Sequence, residues 1–282
     1  MPTRWQLFKE FVRALWQLSL SLLTALLLFF GAIWYLFARE TSLLYFVIAA
    51  ALLWLAANIA LYAYTMREYR RQVPIMEIMV EKGVCDEVLQ KHCALYPHPT
   101  QGELLRRVDL LLAMERWDEA EALLNTVPEA EVKPPNIVLY YNCLLLLLTE
   151  TGRVSLAYKI FCDNRGMIDS YAGKTKQSAR GAYYATATTL LALCGDAAGS
   201  AQYLSLTEIV YGETEGLPQF LPRIIRAERA YALGERAEAE NLSAQLRAEI
   251  AESDVLKKDW ERRQLLHMLD RAAQRCTLSE GK

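Results

Sequence analysis

Imidazole and thiolate groups carry the widest chemistry, and four of the nine histidines and cysteines cluster in one stretch. Cys85, His92, Cys93 and His98 fall within fourteen residues. Zinc sites pair their ligands as C-x2–4-C and H-x3–5-H. His92 and His98 have five residues between them, but the two cysteines are eight positions apart and His98 stands between Pro97 and Pro99. A helix can bring Cys85 and His92 to one face and cannot bring His98 to it, so these residues read as packing and loop positions. Gly173-Lys174-Thr175 looks like the tail of a phosphate-binding loop. The glycine that motif needs five positions earlier is Ile168, and no apolar strand precedes it. The surrounding residues 164–180 are the longest polar, glycine-containing stretch and are expected to form a mobile loop between helices. His267 stands alone in a charged terminal stretch. No Ser/His/Asp or Cys/His arrangement has supporting local context. The reading therefore assigns no catalytic residue, cofactor or metal, and the chain is not expected to be an enzyme.

The 282-residue chain has room for about two units. Its net charge of -2 gives no field that would draw nucleic acid, and none is expected as a partner. Hydrophobic residues make up 53% of the chain although 23% is charged, and the excess is concentrated in the first 64 residues. Residues 15–37 and 43–64 carry no charge. At ~1.5 Å per residue, each run is long enough to cross a hydrocarbon core of ~30 Å. Only Ala38, Arg39, Glu40, Thr41 and Ser42 separate them, so the two runs are expected to form a transmembrane helical hairpin. The first run exceeds the ~7–15 residues of a signal-peptide core, and a second span follows at once.

Basic residues set the expected orientation. Arg4, Lys9 and Arg13 precede the first span, and Arg67, Arg70 and Arg71 follow the second. The positive-inside rule then places both termini in the cytoplasm. Trp5, Phe8, Trp16, Trp34, Tyr35, Tyr45, Tyr62 and Tyr64 fall at the expected interfaces. The three arginines after the second span could touch anionic lipid at ~1 kcal/mol each, too few for a dedicated lipid patch. All six cysteines lie after the hairpin and read as reduced, mostly core residues. Asn58 is the strongly polar side chain in the second span, with Ser19, Ser21 and Thr24 as candidate partners. Small residues recur at Ser21, Ala25 and Ala32, and at Ala49, Ala56, Ala60 and Ala63. Close packing within the hairpin is the plain reading of these positions. Contact between Asn58 and a second membrane protein or another copy is the alternative.

After Met66 the apolar residues recur three and four apart, which is the helix period. Five turns share one pattern: an apolar helix end, a short turn, a polar start and a small residue five positions on. They begin at Gly83, Glu115, Gly152, Gly195 and Gly234, which are 32, 37, 43 and 39 residues apart. The small positions are Ala120, Ala157, Ser200 and Ala239, with Val88 the bulkier case. Two helices that cross closely leave room for little more than a methyl group there. Asp86, Asp118-Glu119 and Ser155 stand near second-helix starts, where they suit free N–H groups and the helix dipole.

Residues 111–124 and 146–161 carry this pattern most fully, and with Pro97 and Pro128 as closing prolines they resemble the tetratricopeptide repeat family. The resemblance covers about residues 74–250. It departs from the family where Trp and Gly are expected in first helices: Leu104 and Val108 stand in one unit, Tyr141 and Leu145 in the next. The expected fold is all-α, a transmembrane hairpin followed by a degenerate α-solenoid of helical hairpins. Its parts are a cytosolic segment (1–14), the hairpin (15–64), a juxtamembrane linker (65–73), the repeats (74–253) and a charged capping helix with a tail (254–282). The resemblance implies a binding groove along the first helices, with Asp109, Leu112, Asn142, Leu146, Thr149, Ala185, Thr189, Glu228 and Tyr231 on it. That set has acids and aliphatics but no Lys or Arg. It suits an apolar or basic protein segment rather than a peptide carboxylate. Asn142 and Thr149 are expected to face this groove, because a polar group on the core side needs a buried partner. The expected function is that of a membrane-anchored cytosolic scaffold for a protein or peptide partner. The alternative is a structural or regulatory subunit that meets its partners through the hairpin.

Overall fold

The computed structural model describes residues 4–37, 43–212 and 214–279, with side chains over 19–35, 45–212 and 214–274. The turn 38–42 and the side chains of Arg4, Trp5, Phe8, Lys9, Arg13, Trp16 and Cys276 lie outside the described residues. The described chain is helical throughout, without strands. It divides into two compact units, Met1–Glu77 and Ile78–Lys282.

The first unit holds α1 (Arg4–Phe37) and most of α2 (Leu43–Lys82). Among the described residues, α2 is the helix long and apolar enough to cross a membrane: its stretch Tyr45–Lys82 has 38 residues and contains an 18-residue window of mean hydropathy 2.1, 6% of which is buried. The described apolar part of α1, Ser19–Tyr35, is shorter. The Trp54 indole N–H donates to the Ser19 carbonyl at 2.9 Å and so bridges the two helices. Ala50 and Ser19 are buried at this contact, whereas Ala56, Ala60 and Ala63 are exposed. Residues 65–73, read as a linker, continue α2 as helix, with Pro74 inside it.

In the second unit α3 (Asp86–Leu95) is followed by four pairs joined by tight turns: α4 (Gln101–Ala113) with α5 (Trp117–Leu124), α6 (Ile137–Glu150) with α7 (Val154–Ala172), α8 (Gln177–Leu193) with α9 (Ala197–Tyr211), and α10 (Leu221–Ala232) with α11 (Arg236–Glu252). The first members pack in succession, α4 on α6, α6 on α8 and α8 on α10, and α12 (Asp259–Ser279) packs on α10 and α11. Each turn uses one left-handed residue: Gly83, Gly152, Gly195 and Gly234 at φ 76–77°, and Glu115 at φ 59°. Glycine adopts this conformation at no steric cost, whereas a side chain is strained there. The small residues five positions on (Ala120, Ala157, Ser200 and Ala239) are wholly buried, and so is Val88. The residue after the left-handed position ties neighbouring pairs twice. Arg116 reaches Asp86 of α3 at 2.6 Å, and Arg153 grips both carboxylate oxygens of Glu121 on α5 at 2.6 and 2.9 Å.

Two regions differ from expectation. Residues 164–180 are not a loop: α7 runs to Ala172 and α8 begins at Gln177. Ile168 and Ala172 are buried, and that packing outweighs the weak helix propensity of Asn164 and Gly166. The helix read as a solvated cap also bonds back to the first pairs. The Trp260 indole donates to the Val80 carbonyl at 3.1 Å, and its ring covers Gly83, where an added Cβ would come within 2.8 Å. Arg271 pairs with Glu150 at 2.6 Å and with Glu115 at 3.0 Å, and lies 5.5 Å from the Trp117 ring centre. His267 meets Glu115 at 2.7 Å.

Candidate functional site

The row α4–α6–α8–α10 presents the residues that the repeat reading placed in a groove. Asp109 follows Val108 and precedes Leu112 by three positions on α4. Val108 and Leu112 are buried, and the helical turn carries Asp109 out to an accessible position. Protein nevertheless surrounds it closely enough that burial pushes its carboxyl up to about 6. Asp109 has no hydrogen-bond or ion-pair partner among the described residues. Its charge reaches two other elements. The buried Cys143 thiol on α6 is raised by burial and then by Asp109, and Tyr211, ending α9, is pushed up to about 12 by burial and then by Asp109. The Tyr211 ring rests on Gly181 of α8, where an added Cβ would lie 2.5 Å from the ring and its hydroxyl. Neither Cys143, Tyr211 nor Gly181 is recognisable as a site residue from sequence, since only the folded row brings them toward Asp109.

Other members of the expected groove lie at helix contacts. Asn142 is 2% exposed and accepts a hydrogen bond from the Thr186 hydroxyl at 2.9 Å. Thr189 donates to the buried Glu228 carboxylate at 3.1 Å. Thr149 is buried and donates to the Leu145 carbonyl of its own helix at 2.7 Å. Asn142 and Thr149 therefore do not face an open groove. Each has the buried partner that the expectation took to be missing, so burial carries no desolvation deficit. Leu112 is also core, while Leu146, Ala185 and Tyr231 are half-buried. The accessible part of the set is Asp109, with Leu146, Ala185 and Tyr231 partly so.

A second polar cluster is structural. Asp169 accepts from the Tyr183 hydroxyl at 2.9 Å and the Tyr203 hydroxyl at 2.8 Å, and Arg165 donates to the Tyr203 oxygen at 3.0 Å. Burial, then Tyr203, drives the Tyr183 phenol far above its ordinary value. This satisfied network locks α7 to α8 and α9. His92 also joins two elements, although its buried Nε2 has no hydrogen-bond partner. Its Nδ1 accepts from Arg107 at 3.4 Å, Arg107 also bonds the Tyr96 carbonyl, and burial followed by the arginines lowers the imidazole pKa. Cys93 and His98 are exposed while His92 is buried. Among the described residues no group of three or more His, Cys, Asp or Glu is arranged to hold a metal. Gly173-Lys174-Thr175 forms the α7–α8 turn, with Thr175 bonding back to the Tyr171 carbonyl at 3.0 Å. In α2 the Asn58 amide donates to the Trp54 carbonyl of its own helix at 2.7 Å, beside the Trp54–Ser19 bridge. Compared with protein-family models, with curated proteins and with solved structures, the chain matches none.

Proposed function

We propose that this protein is a membrane-anchored scaffold with a tetratricopeptide-like array of helical hairpins, whose first-helix face binds a cytosolic protein segment with basic or apolar character. The observation that carries the reading is Asp109, exposed on α4, with its carboxyl raised by burial and without a hydrogen-bond or ion-pair partner among the described residues. A cationic side chain from a partner would favour the charged form of that raised carboxyl, while Leu146, Ala185 and Tyr231 supply apolar contact. Five left-handed turns, each followed five positions on by a buried residue that is small in four of them, support the repeat architecture. The length and exposed apolar surface of α2 support an anchor, with α1 as the second span and both termini cytoplasmic. The function proposed is binding, not catalysis. Asn58, bonded within its own helix beside the interhelical bridge, favours a plain anchor over a membrane-facing partner contact.

Affinity capture after crosslinking in intact membranes tests this reading. The chain lacking residues 1–64 should retain the partner in the soluble fraction, and Asp109→Lys in the full chain should lose it. Retention by Asp109→Lys together with loss on deletion of residues 1–64 would instead assign partner contact to the hairpin.

A further inference from the structure

The exposed surface of α2 changes character within two turns. Between Tyr45 and Tyr64 the outward side chains are mostly apolar or aromatic, with Ile59 62% and Tyr64 66% exposed. The charged side chains that follow on the exposed surface are Arg67, Arg70 and Arg71. At ~100° per residue, positions 62, 63, 66, 67, 70 and 71 fall on one side of the helix. The side chains there (Tyr62, Ala63, Met66, Arg67, Arg70 and Arg71) line a single open recess. Arg71 is engaged with Glu68 at 2.9 Å, and Arg67 and Arg70 have no ion pair among the described residues.

A count of three arginines does not make a lipid patch, but their arrangement adds what the count lacks. An apolar floor runs directly into two guanidinium groups one helical turn apart, at the level where tyrosines mark the end of the apolar surface. We infer that this face of α2 binds an anionic glycerophospholipid, with its phosphate across Arg67 and Arg70 and the start of an acyl chain along Tyr62 and Met66. The guanidinium fork matches phosphate geometry. Juxtamembrane cations are drawn to an anionic leaflet, and tyrosine suits the headgroup level. The inference rests on the reading that α2 spans the bilayer.

The test uses the full chain in nanodiscs made of phosphatidylcholine alone or with phosphatidylglycerol. Lipids retained after transfer to detergent are identified by native mass spectrometry. The parent chain should retain phosphatidylglycerol over phosphatidylcholine by on the order of tenfold. The R67Q/R70Q variant should lose that preference while keeping its phosphatidylcholine, and R106Q, an exposed arginine of α4, should keep it. Excess inorganic phosphate should not displace the retained lipid. No preference in the parent, a preference that survives R67Q/R70Q, or displacement by free phosphate would each overturn the inference. A chain that associates with neither nanodisc would overturn the membrane reading itself, and the lipid site with it.

Discussion

At Asp109 the surrounding protein raises the carboxyl above its ordinary value, and that shift has a thermodynamic signature. Its folded value is about 6 against an ordinary 3.8, so between those values the native state binds more protons than the unfolded chain. Stability from this group falls as pH rises through that window, and the deficit is complete above it. Asp109→Asn should therefore raise the melting temperature at about pH 7.5 and leave it nearly unchanged at about pH 3.5, while weakening partner capture. A variant that melts at the same temperature as the parent at both pH values would mean Asp109 is fully hydrated. The residue was legible in the sequence as a polar break in an apolar helix. Its enclosure was not, because Cys143 and Tyr211 approach it only through the packing of α4, α6, α8 and α9. Asn142 shows the opposite case. Its polarity suggested an exposed position, but Thr186, 44 positions away, satisfies it in the interior. Asn142→Arg should accordingly cost several kcal/mol by forcing a guanidinium into a 2%-exposed contact, at least the ~1–3 kcal/mol of an unmet buried polar group. Urea unfolding reads it directly.

At the scale of elements, the turns were the most legible feature. The five turn starts read from sequence are the five left-handed positions ahead of α3, α5, α7, α9 and α11, because glycine placement and a small residue five positions on are local signals. Even Glu115, the turn without glycine, takes this conformation. The wholly buried Ala157 has no room for added methylenes, so Ala157→Leu should cost ~1–3 kcal/mol in chemical denaturation. Glu119→Leu, on the exposed side of α5, should cost far less. Equal losses would mean the turn register does not set the core. Residues 164–180 resemble a loop in sequence because their polar residues suggest solvent. In the structure, Arg165 and Asp169 work against Tyr183 and Tyr203 at the contact of α7 with α8 and α9. Pairwise polar contacts across helices leave no local trace in a sequence.

For the whole molecule, the contacts of α12 with Val80, Gly83, Glu115 and Glu150 make the second unit a chain tied back on itself. Sequence separations of 152 between Glu115 and His267 and 180 between Val80 and Trp260 put these contacts beyond any periodicity argument, so the segment read only as charged. Arg271→Met should destabilise the second unit by about 2–3 kcal/mol, between the values for surface and buried pairs, since Glu150 is only 7% exposed. Adding Glu150→Gln should recover part of the loss. Burial opposes ionisation of Glu115, but hydrogen bonds and charge from His267 and Arg271 outweigh it and hold its carboxyl below the ordinary value. That contribution is present above the ordinary carboxylate range and is lost as pH falls through the depressed value. The measurement that bears most directly on a partner-binding face is site-specific photocrosslinking in intact membranes, with the photoreactive side chain placed at Asp109 or at Ile209, which is 76% exposed on α9. A discrete crosslink to another protein from position 109 and none from position 209 is the expected result. Crosslinks from 209 alone, or only self-crosslinks from 109, would contradict a binding face on the first helices.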